Sequence, residues 1–418
     1  AAFPGNDQHA AGVGGLDCAL QSDVGKVGYG EYIHHSPKLP SRLALELEPQ
    51  LSTDCAAGTI TSDDVTGANC RGIFERRHHW IVEVVGSGES GQTMVVVGDE
   101  SPRGRVHGVE QEVIIRSDTD RAAALRTGGI TPLELRLGGM FDITSAHRVK
   151  RAIRQFAPEV VLTWMNRATA YAPFGPHITV ARLGGYYKVE NYRQCDHLIG
   201  NTQDICDYLI KAGWPKPRVH HIPNFVDDAP SPPVSRADFN TPDDATLLLA
   251  MGRLHINKGF DTLVDALRDL PNSYLWIAGE GPLRERLERQ AAQSGVAKRT
   301  RFLGWRDDGP ALLATADVFV CPSRHEPLGN VVIEAWAHKC PVIAAESEGP
   351  GTLIEHGRTG LLTPVDDSNA LARAITRVTS EQVLAQDLAA AGQDEFRAKF
   401  NEGSVVSRYL KFFDAVTT

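Results

Sequence analysis

One strand-loop-helix unit, carrying two glutamates, constrains the fold of this chain more than any other segment. Residues 317–321 form a short apolar run that ends in a proline and a serine, which predicts a buried strand entering a loop. Residues 328–338 have the pattern of a helix that stops before the next proline. Glu326 therefore lies in the loop, and Glu334, eight positions later, lies on the helix.

The start of this helix is a predicted anion site. The unpaired backbone N–H groups of Gly329 and Asn330 and the positive end of the helix dipole point outward together. Glu326 faces the same ligand, and a carboxylate beside an anion is unfavourable unless it accepts hydrogen bonds from neutral hydroxyls. A sugar nucleotide offers both groups, since its diphosphate is flanked by two sugars. The unit therefore predicts a site for a glycosyl donor.

Strands and helices alternate along much of the chain, which predicts a parallel, doubly wound α/β sheet. At 418 residues, of which 42% are apolar, the chain is long enough for two such cores. Residues 228–244 contain four prolines and separate the two series of elements. The first series has strands at 113–116, 133–137 and 160–163 and helices at 120–126 and 145–156; the second opens with a strand at 246–251.

The charge and the cysteine content argue against several classes of protein. The net charge of −9 does not suit a nucleic-acid partner held by a general basic surface. The seven cysteines show no CxxC pair or framework spacing, which suits the cytoplasm, and the adjacent His220 and His221 lack a third metal ligand at a suitable spacing. Neither a segment of membrane-spanning length nor a signal-peptide pattern is visible, so we expect any membrane contact to be peripheral, at the inner face.

Five motifs in the C-terminal half resemble, in their order and spacing, those of a known enzyme family. They lie at residues 252–259, 277–282, 302–304, 323–334 and 355–362. With these motifs the chain resembles the retaining glycosyltransferases of the GT-B fold, specifically family 4, the group 1 glycosyl transferases. The resemblance implies two Rossmann-like, doubly wound parallel-sheet domains that face a cleft.

The resemblance also implies how the chain is divided. Residues 1–227 are expected to form an acceptor-binding domain and residues 245–395 a donor-binding domain, joined by the linker 228–244. Residues 396–418 are expected to form a C-terminal helix that crosses back to the first domain and closes the cleft as a hinge.

Residues 1–105 are atypical of the family. The glycine cluster at 12–17 does not follow a buried strand, as the glycine loop of such a fold should, so an irregular segment is the simpler interpretation. The apolar runs at 80–85 and 93–97 fit either a hairpin or a strand followed by a phosphate loop.

The donor-binding residues are predicted on loops that follow strands of the second domain. Arg253 and Lys258 lie five positions apart on a glycine-bounded loop, where both reach one diphosphate and neutralise charge as it leaves. By resemblance, Glu334 hydrogen-bonds the donor ribose and Glu326 orients the transferred sugar; the plainer alternative is a dipole-stabilising carboxylate and a solvated one. The predicted catalytic residues are Glu326, Arg253 and Lys258, and the predicted donor-binding residues are Glu334, Gly329, Asn330, Leu328, Gly252 and Trp305, the last near the nucleotide base.

The acceptor-side residues are predicted where strands of the first domain end, because ligands of such sheets bind beyond the strand C-termini. Trp164 and Asn166 follow the strand at 160–163, near the place where the resembled family often has a histidine. Arg182, Gly184 and Tyr186 belong to a predicted loop after residue 181, where aromatic faces pack on sugars and cations pair with phosphate. An ordinary solvated loop is the alternative interpretation of that segment.

The predicted reaction is metal-independent and needs no cofactor. It moves a sugar, with retention of configuration, from a UDP- or GDP-sugar to a hydroxyl of a glycan or lipid-linked glycan, in the synthesis of a cell-surface polysaccharide. The last step rests on the resemblance alone. Two alternatives remain: a GT-B epimerase, and a non-catalytic nucleotide-sugar-binding or scaffold protein. The sequence gives no signal for the oligomeric state.

Overall fold

The computed structural model describes residues 80–85, 105–106, 109–138 and 141–418. The glycine cluster at 12–17 and the apolar run at 93–97 lie outside these residues. The run at 80–85 is a strand, β1 (Trp80–Val85), that pairs in parallel with strands on both sides.

Among the described residues, the first sheet contains eight strands. The order is β2-β3-β1-β5-β6-β7-β8, with β4 also paired to β3, and every pair is parallel except β2 with β3. The strands after β1 are β2 (Arg105–Val106), β3 (Val109–Arg116), β4 (Leu133–Leu135), β5 (Val160–Trp164), β6 (Ile178–Leu183), β7 (His197–Gly200) and β8 (Val219–His221). The connecting helices are α1 (Thr119–Thr127), α2 (Ile143–Phe156), α3 (Met165–Thr169) and α4 (Gln203–Lys211).

The second sheet has six strands, all parallel, in the order β11-β10-β9-β12-β13-β14. The strands are β9 (Thr246–Met251), β10 (Ser273–Ala278), β11 (Thr300–Gly304), β12 (Val318–Cys321), β13 (Val342–Ala345) and β14 (Leu361–Thr363). The helices are α5 (Phe260–Ala266), α6 (Arg284–Gln293), α7 (Gly309–Thr315), α8 (Asn330–Ala337), α9 (Glu348–Leu353), α10 (Ser368–Ser380), α11 (Gln382–Lys399) and α12 (Glu402–Thr417). The prediction of two doubly wound α/β sheets is confirmed.

The strand order of the second sheet reverses between its two central strands, β9 and β12. From β9 the following strands are added on one side, and from β12 they are added on the other. Ligands of open α/β sheets bind outside the strand C-termini at such a switch point. The loop after β9 contains Arg253 and Lys258, and the loop after β12 contains Glu326. The topology therefore brings the two predicted loops to one edge.

Alternate residues of the central strands supply the cores on the two faces of the second sheet. Leu248 and Ala250 of β9 belong to one buried cluster, and Leu247 and Leu249 belong to the other. Trp336 of α8 is fully buried in the second cluster, and its Nε1 donates to the Thr359 carbonyl at 2.8 Å. This anchor fixes the helix that begins at the predicted donor site.

The proline-rich segment 228–244 connects the two sheets and packs on the second one. Phe239 lies edge-on to the buried Trp276, with ring centroids 4.8 Å apart, and Thr241 Oγ1 accepts a hydrogen bond from Trp276 Nε1 at 2.9 Å. Arg236 pairs with Asp317 at 2.9 Å. The connection is therefore part of the second domain's surface.

The last helix, α12, lies against the first sheet. Its apolar side chains Val405, Tyr409, Phe412 and Phe413 join a buried cluster with residues of β5, β6 and β7. The preceding helix, α11, packs on α8 of the second domain through Phe396. The C-terminal segment thus spans both domains.

One predicted loop is wrong in part. Arg182 and Leu183 belong to β6, because the buried strand continues through the arginine, whose side chain is itself buried. Farther along the chain, Glu348–Leu353 forms α9 although it contains a proline. Pro350 lies in the first turn of this helix, where its missing N–H has no intrahelical partner to lose.

The docking of α12 predicts a large effect of truncating one of its buried rings. Phe413 is buried against the first sheet and lies between Tyr409 and Phe412. We expect Phe413→Ala to lower the free energy of unfolding by about 3 kcal/mol or more, because it removes a buried ring and leaves a cavity. Urea denaturation followed by circular dichroism measures this. Lys411→Ala, on the exposed side of the same helix, is the control, and a matching small loss in both variants would contradict the docking.

Candidate active site

Two backbone segments meet at the switch point of the second sheet. Gly259, at φ 62°, lies so close to the Pro322 carbonyl that a side chain there would collide with it. The backbone N–H of Arg324 donates to the Asn257 carbonyl at 2.8 Å. Glycine is required at this contact both for its positive φ and for its size.

Arg324 joins the two loops through its side chain, a role that the sequence did not indicate. Its guanidinium forms a bidentate ion pair with Asp261, at 2.8 and 2.9 Å, and a second pair with Asp366 at 2.6 Å. All of its carboxylate contacts are thus to residues of its own domain. Arg324 holds the loop beside Glu326 and is not free to bind a diphosphate.

Lys258 and Glu326 form an ion pair at the centre of the site. Both side chains are largely buried, and Ser323 Oγ lies 3.4 Å from the same carboxylate oxygen. Burial works against the Lys258 ammonium, but attraction and a hydrogen bond to Glu326, with a contribution from Glu334, raise its pKa overall. Lys258 therefore remains charged throughout the physiological pH range.

Glu334 lies one turn into α8 and has no hydrogen-bond partner for its carboxylate among the described residues. Burial raises the pKa of Glu334; Lys258 opposes this shift and Glu326 adds to it. The structure thus brings the predicted residues Glu326, Lys258 and Glu334 into one electrostatic cluster. An unpartnered carboxylate in such a setting is suited to accept hydrogen bonds from ligand hydroxyls.

The remaining predicted donor residues differ in how far their side chains are exposed to solvent. Arg253 is exposed and, within the described chain, has no side-chain partner, while Gly252 packs on the Lys258 stem. Trp305 follows β11 and is 68% exposed. The side chain of Leu328 is buried in the core cluster under α8, so its contribution to ligand binding is limited to the backbone.

Gly329 and Asn330 open α8, as predicted, with Gly329 in the left-handed conformation at φ 84°. Asn330 Oδ1 accepts a hydrogen bond from Asn224 Nδ2 at 2.9 Å. Asn224, which sequence reasoning did not single out, lies in the segment that leaves the first domain. The start of the predicted donor helix is therefore in contact with that segment.

Helix α9 supports the loop that carries Glu326. The Gly349 backbone N–H donates to the Glu326 carbonyl at 2.7 Å. Glu348 accepts from the Glu326 backbone N–H at 3.2 Å and contacts His325 Nδ1 at 2.7 Å. Burial acts to raise the pKa of Glu348, but hydrogen bonds from its own backbone, from His325 and from Glu326 outweigh this effect and lower it. Neither Glu348 nor Gly349 was predicted as a site residue, because their contacts depend on α9.

On the acceptor side, three predicted residues already have partners within the first domain. Asn166 accepts a hydrogen bond from Tyr192, and Tyr186 donates one to Asp204. Burial, then Asp204, and then Glu348 of the second domain raise the pKa of Tyr186. Arg182 is 3% exposed, so it is not part of a solvated loop.

Trp164 and Gly184 flank Arg182. The Arg182 guanidinium stacks on Trp164, which is partly buried, and Gly184 follows the end of β6. Tyr409 of α12, a further residue missed from the sequence, accepts a hydrogen bond from Arg182 Nε at 2.9 Å.

His220, the first of the two adjacent histidines, lies away from this site, between the first sheet and α12. His220 Nε2 contacts His197 Nδ1 at 3.0 Å, and the His220 ring lies against Phe412 with centroids 4.6 Å apart. Burial, and then His197, lower the pKa of His220 to about 4. These contacts assign His220 to the packing of α12.

Comparison with known proteins identifies related sequences along most of the described chain. The model of the family described as Glycosyltransferase Family 4 matches residues 96–229, and that of Glycosyl transferases group 1 matches residues 233–395. Two proteins of Rhizobium meliloti (strain 1021), the lipopolysaccharide core biosynthesis glycosyltransferases LpsD and LpsE, are 35% and 36% identical over 315 and 312 residues. In each case the match covers 73% of this chain and 90% of the relative.

Solved structures share the fold. A glycosyltransferase from Rickettsia africae ESF-5 superposes with a TM-score of 0.70 at 17% identity, covering 82% of this chain and 99% of that one. Anabaena Alr3699/HepE, solved in complex with UDP and glucose, superposes with a TM-score of 0.69 at 21% identity, covering 81% of this chain and all of that one (100%). At these identities the likeness establishes the two-domain architecture.

The contact between α9 and the Glu326 loop predicts opposite outcomes for two neighbouring glycines. A Cβ on Gly349 would lie 2.5 Å from the Glu326 and Leu328 carbonyl oxygens, whereas the atoms nearest to a Cβ on Gly351 belong to Glu346, at ordinary distances of 3.4 and 3.9 Å. We expect Gly349→Ala to displace the loop and weaken UDP or GDP binding about tenfold. Gly351→Ala should leave affinity unchanged and stabilise the protein slightly, since alanine favours a helix over glycine. Calorimetric titration and thermal unfolding of both variants test this; equal affinities would show that α9 does not position the loop.

Proposed function

The chain belongs to glycosyltransferase family 4, the group 1 glycosyl transferases, and from its site geometry we propose a retaining transferase that uses a nucleoside diphosphate sugar. The donor binds to the second domain and the acceptor hydroxyl to the first. The observation that carries this proposal is the cluster of Lys258, Glu326 and Glu334, which combines one cation with two carboxylates at the switch point. The cation suits the diphosphate of such a donor, and the two carboxylates suit the hydroxyls of the sugars on either side of it.

The donor diphosphate is held between the two loops of the second domain. The exposed Arg253 and the largely buried Lys258 neutralise its charge, and the positive end of the α8 dipole points toward it. Glu334 accepts hydrogen bonds from the ribose hydroxyls, and Glu326 accepts them from the hydroxyls of the transferred sugar. Trp305 lies over the base. UDP is one candidate nucleotide, since HepE was solved with UDP and glucose, and GDP is the other.

Transfer breaks the bond between the anomeric carbon and the diphosphate oxygen and forms one to the acceptor oxygen. The acceptor hydroxyl attacks from the face that the diphosphate leaves, and its proton passes to the departing phosphate oxygen. Configuration is therefore retained without an enzyme-bound sugar. The charge that collects on the diphosphate is stabilised by Arg253 and Lys258, a role that requires no metal ion or cofactor in this proposal.

The acceptor is a hydroxyl on a glycan or lipid-linked glycan of a cell-surface polysaccharide. The relatives LpsD and LpsE, whose names assign them to lipopolysaccharide core biosynthesis, support this class. The first domain supplies its contacts around Trp164, Asn166, Gly184 and Tyr186.

The proposed roles of the two glutamates are separated by two variants and a panel of UDP- and GDP-sugars. We expect Glu326→Gln to lower acceptor-dependent release of the nucleoside diphosphate at least 100-fold, while nucleotide affinity stays the same or rises because Lys258 loses its partner. Glu334→Ala should weaken nucleotide binding about tenfold. This loss should disappear with the 2′-deoxynucleotide if Glu334 binds the ribose.

Three results of these measurements would each contradict a part of the proposal. Donor binding without release under any acceptor condition would indicate a non-catalytic binding protein. Sugar isomerisation without an acceptor would indicate an epimerase. A Glu334→Ala effect that is equally large with the 2′-deoxynucleotide would remove the ribose assignment.

We further propose that the enzyme acts at the cytoplasmic face of a membrane. Among the described helices, none is both long and apolar enough to cross a bilayer. Helix α2, however, carries Lys150, Arg151 and Arg154 on its exposed side, without carboxylate partners in the described chain. Phe141 and Ile143, at its start, are 92% and 78% exposed. Cations beside exposed apolar side chains suit an anionic lipid surface.

Charge reversal on α2 tests this location. We expect Lys150→Glu/Arg154→Glu to reduce binding to phosphatidylcholine vesicles that contain phosphatidylglycerol at least tenfold, since each cation near an anionic surface contributes to attraction. Arg286→Glu/Arg289→Glu, on the exposed side of α6, is the control and should bind as the unmodified protein does. Sedimentation with vesicles measures both. Equal losses, or no lipid binding by the unmodified protein, would reject the membrane surface on α2.

A further inference from the structure

Arg182 is a buried cation without a counter-ion. It is the penultimate residue of β6 and is 3% exposed. Its Nε donates to the Tyr409 hydroxyl at 2.9 Å, and its Nη2 donates to Asn224 Oδ1. Both acceptors are neutral, and the described chain supplies no carboxylate partner and no acceptor for Nη1. A buried charge is normally paired, because burial without an opposite charge is costly.

Trp164 supplies a second unsatisfied donor beside this cation. It is the last residue of β5 and lies directly opposite Arg182 in the sheet register. The Arg182 Cζ is 4.3 Å from the ring centroid of Trp164, which stacks the guanidinium on the indole. The indole Nε1 is buried and has no hydrogen-bond acceptor. Two neighbouring side chains therefore offer donors that nothing in the described chain accepts.

The pair lies where the first domain meets the start of the donor helix. Both residues are at the C-terminal ends of their strands, the edge at which such sheets bind ligands. Asn224 links Arg182 to Asn330, the first residue of α8, through its Oδ1 and its Nδ2. The Tyr409 hydroxyl and the Asn224 amide fix the plane of the guanidinium. The N–H groups of Arg182 that lack an acceptor are thus held in a fixed position at the junction of the two domains.

We propose that Arg182 and Trp164 form a subsite for an anionic group of the acceptor, a carboxylate or a phosphate monoester. A planar guanidinium with free N–H groups matches the two oxygens of such a group, and the anion supplies the missing charge. The donor diphosphate already has Arg253 and Lys258 on the second domain, whereas Arg182 belongs to the first. This inference rests on the proposed function, since it assigns the anion to the acceptor of the transfer.

Inorganic phosphate and acetate are the probes, titrated into the full chain at constant ionic strength with UDP or GDP present in excess. We expect phosphate to bind in the presence of the nucleotide and Arg182→Gln to weaken that binding at least tenfold, because the charge-assisted contacts are lost. Arg193→Gln, an exposed arginine of the same domain, is the control and should bind phosphate normally. Nucleotide affinity, measured alongside, should be unchanged in both variants.

Each other outcome overturns the subsite. Phosphate that competes with the nucleotide belongs to the donor site, and phosphate binding that survives Arg182→Gln does not involve this cation. Nucleotide binding that persists while no anion binds removes the subsite and leaves the proposed function intact. If Arg182→Gln fails to fold, fluorescence of the unmodified protein decides. Phosphate must then change a signal that Trp164→Phe lacks, and an identical response in both proteins rejects the proposal.

Discussion

The ion pair between Lys258 and Glu326 is the interaction on which the organisation of the site depends. It joins the loops that leave β9 and β12, the strands between which the second sheet reverses its order. Neither side chain is well solvated, so each compensates the burial of the other, and removal of one partner from such a pair typically costs about 3–5 kcal/mol. Because Lys258 is paired with Glu326, the Glu334 carboxylate has no hydrogen bond within the described site. The cluster therefore presents one paired cation and one open acceptor, on rigid elements.

The rest of the second domain holds these charged side chains in fixed positions. Arg324 fastens the Glu326 loop to Asp261 and Asp366, and α9 supports it from the other side through Gly349 and Glu348. Trp336 anchors α8 in the core by a hydrogen bond and by full burial. Positioning of this kind matters because electrostatic stabilisation is effective only if the charges do not reorganise during the reaction.

The sequence predicted the second domain well because its signals are local. Apolar strands, glycines at strand ends and prolines after helices lie within a few residues of what they determine, and Glu326, Lys258 and Glu334 came together as expected. Arg182 was misplaced because its burial depends on Tyr409, which is 227 positions away, and on Asn224 in the connection between the domains. Glu348 was missed for the same reason, since it acts on Glu326 only once α9 forms. The roles of the site residues in binding remain predictions.

Lys258 and Arg182 differ in one respect that determines what each can do. Lys258 is already paired with Glu326 before any ligand binds. A bound diphosphate is therefore attracted only by the part of the Lys258 charge that Glu326 does not neutralise. Arg182 has only neutral partners, so its whole charge is available. A ligand that places an anion on Arg182 would also bear on Asn224 and hence on Asn330 at the start of α8. Because both amides are neutral, this connection would transmit position and not charge, and it would link occupancy of the proposed subsite to the helix that begins at the predicted donor site.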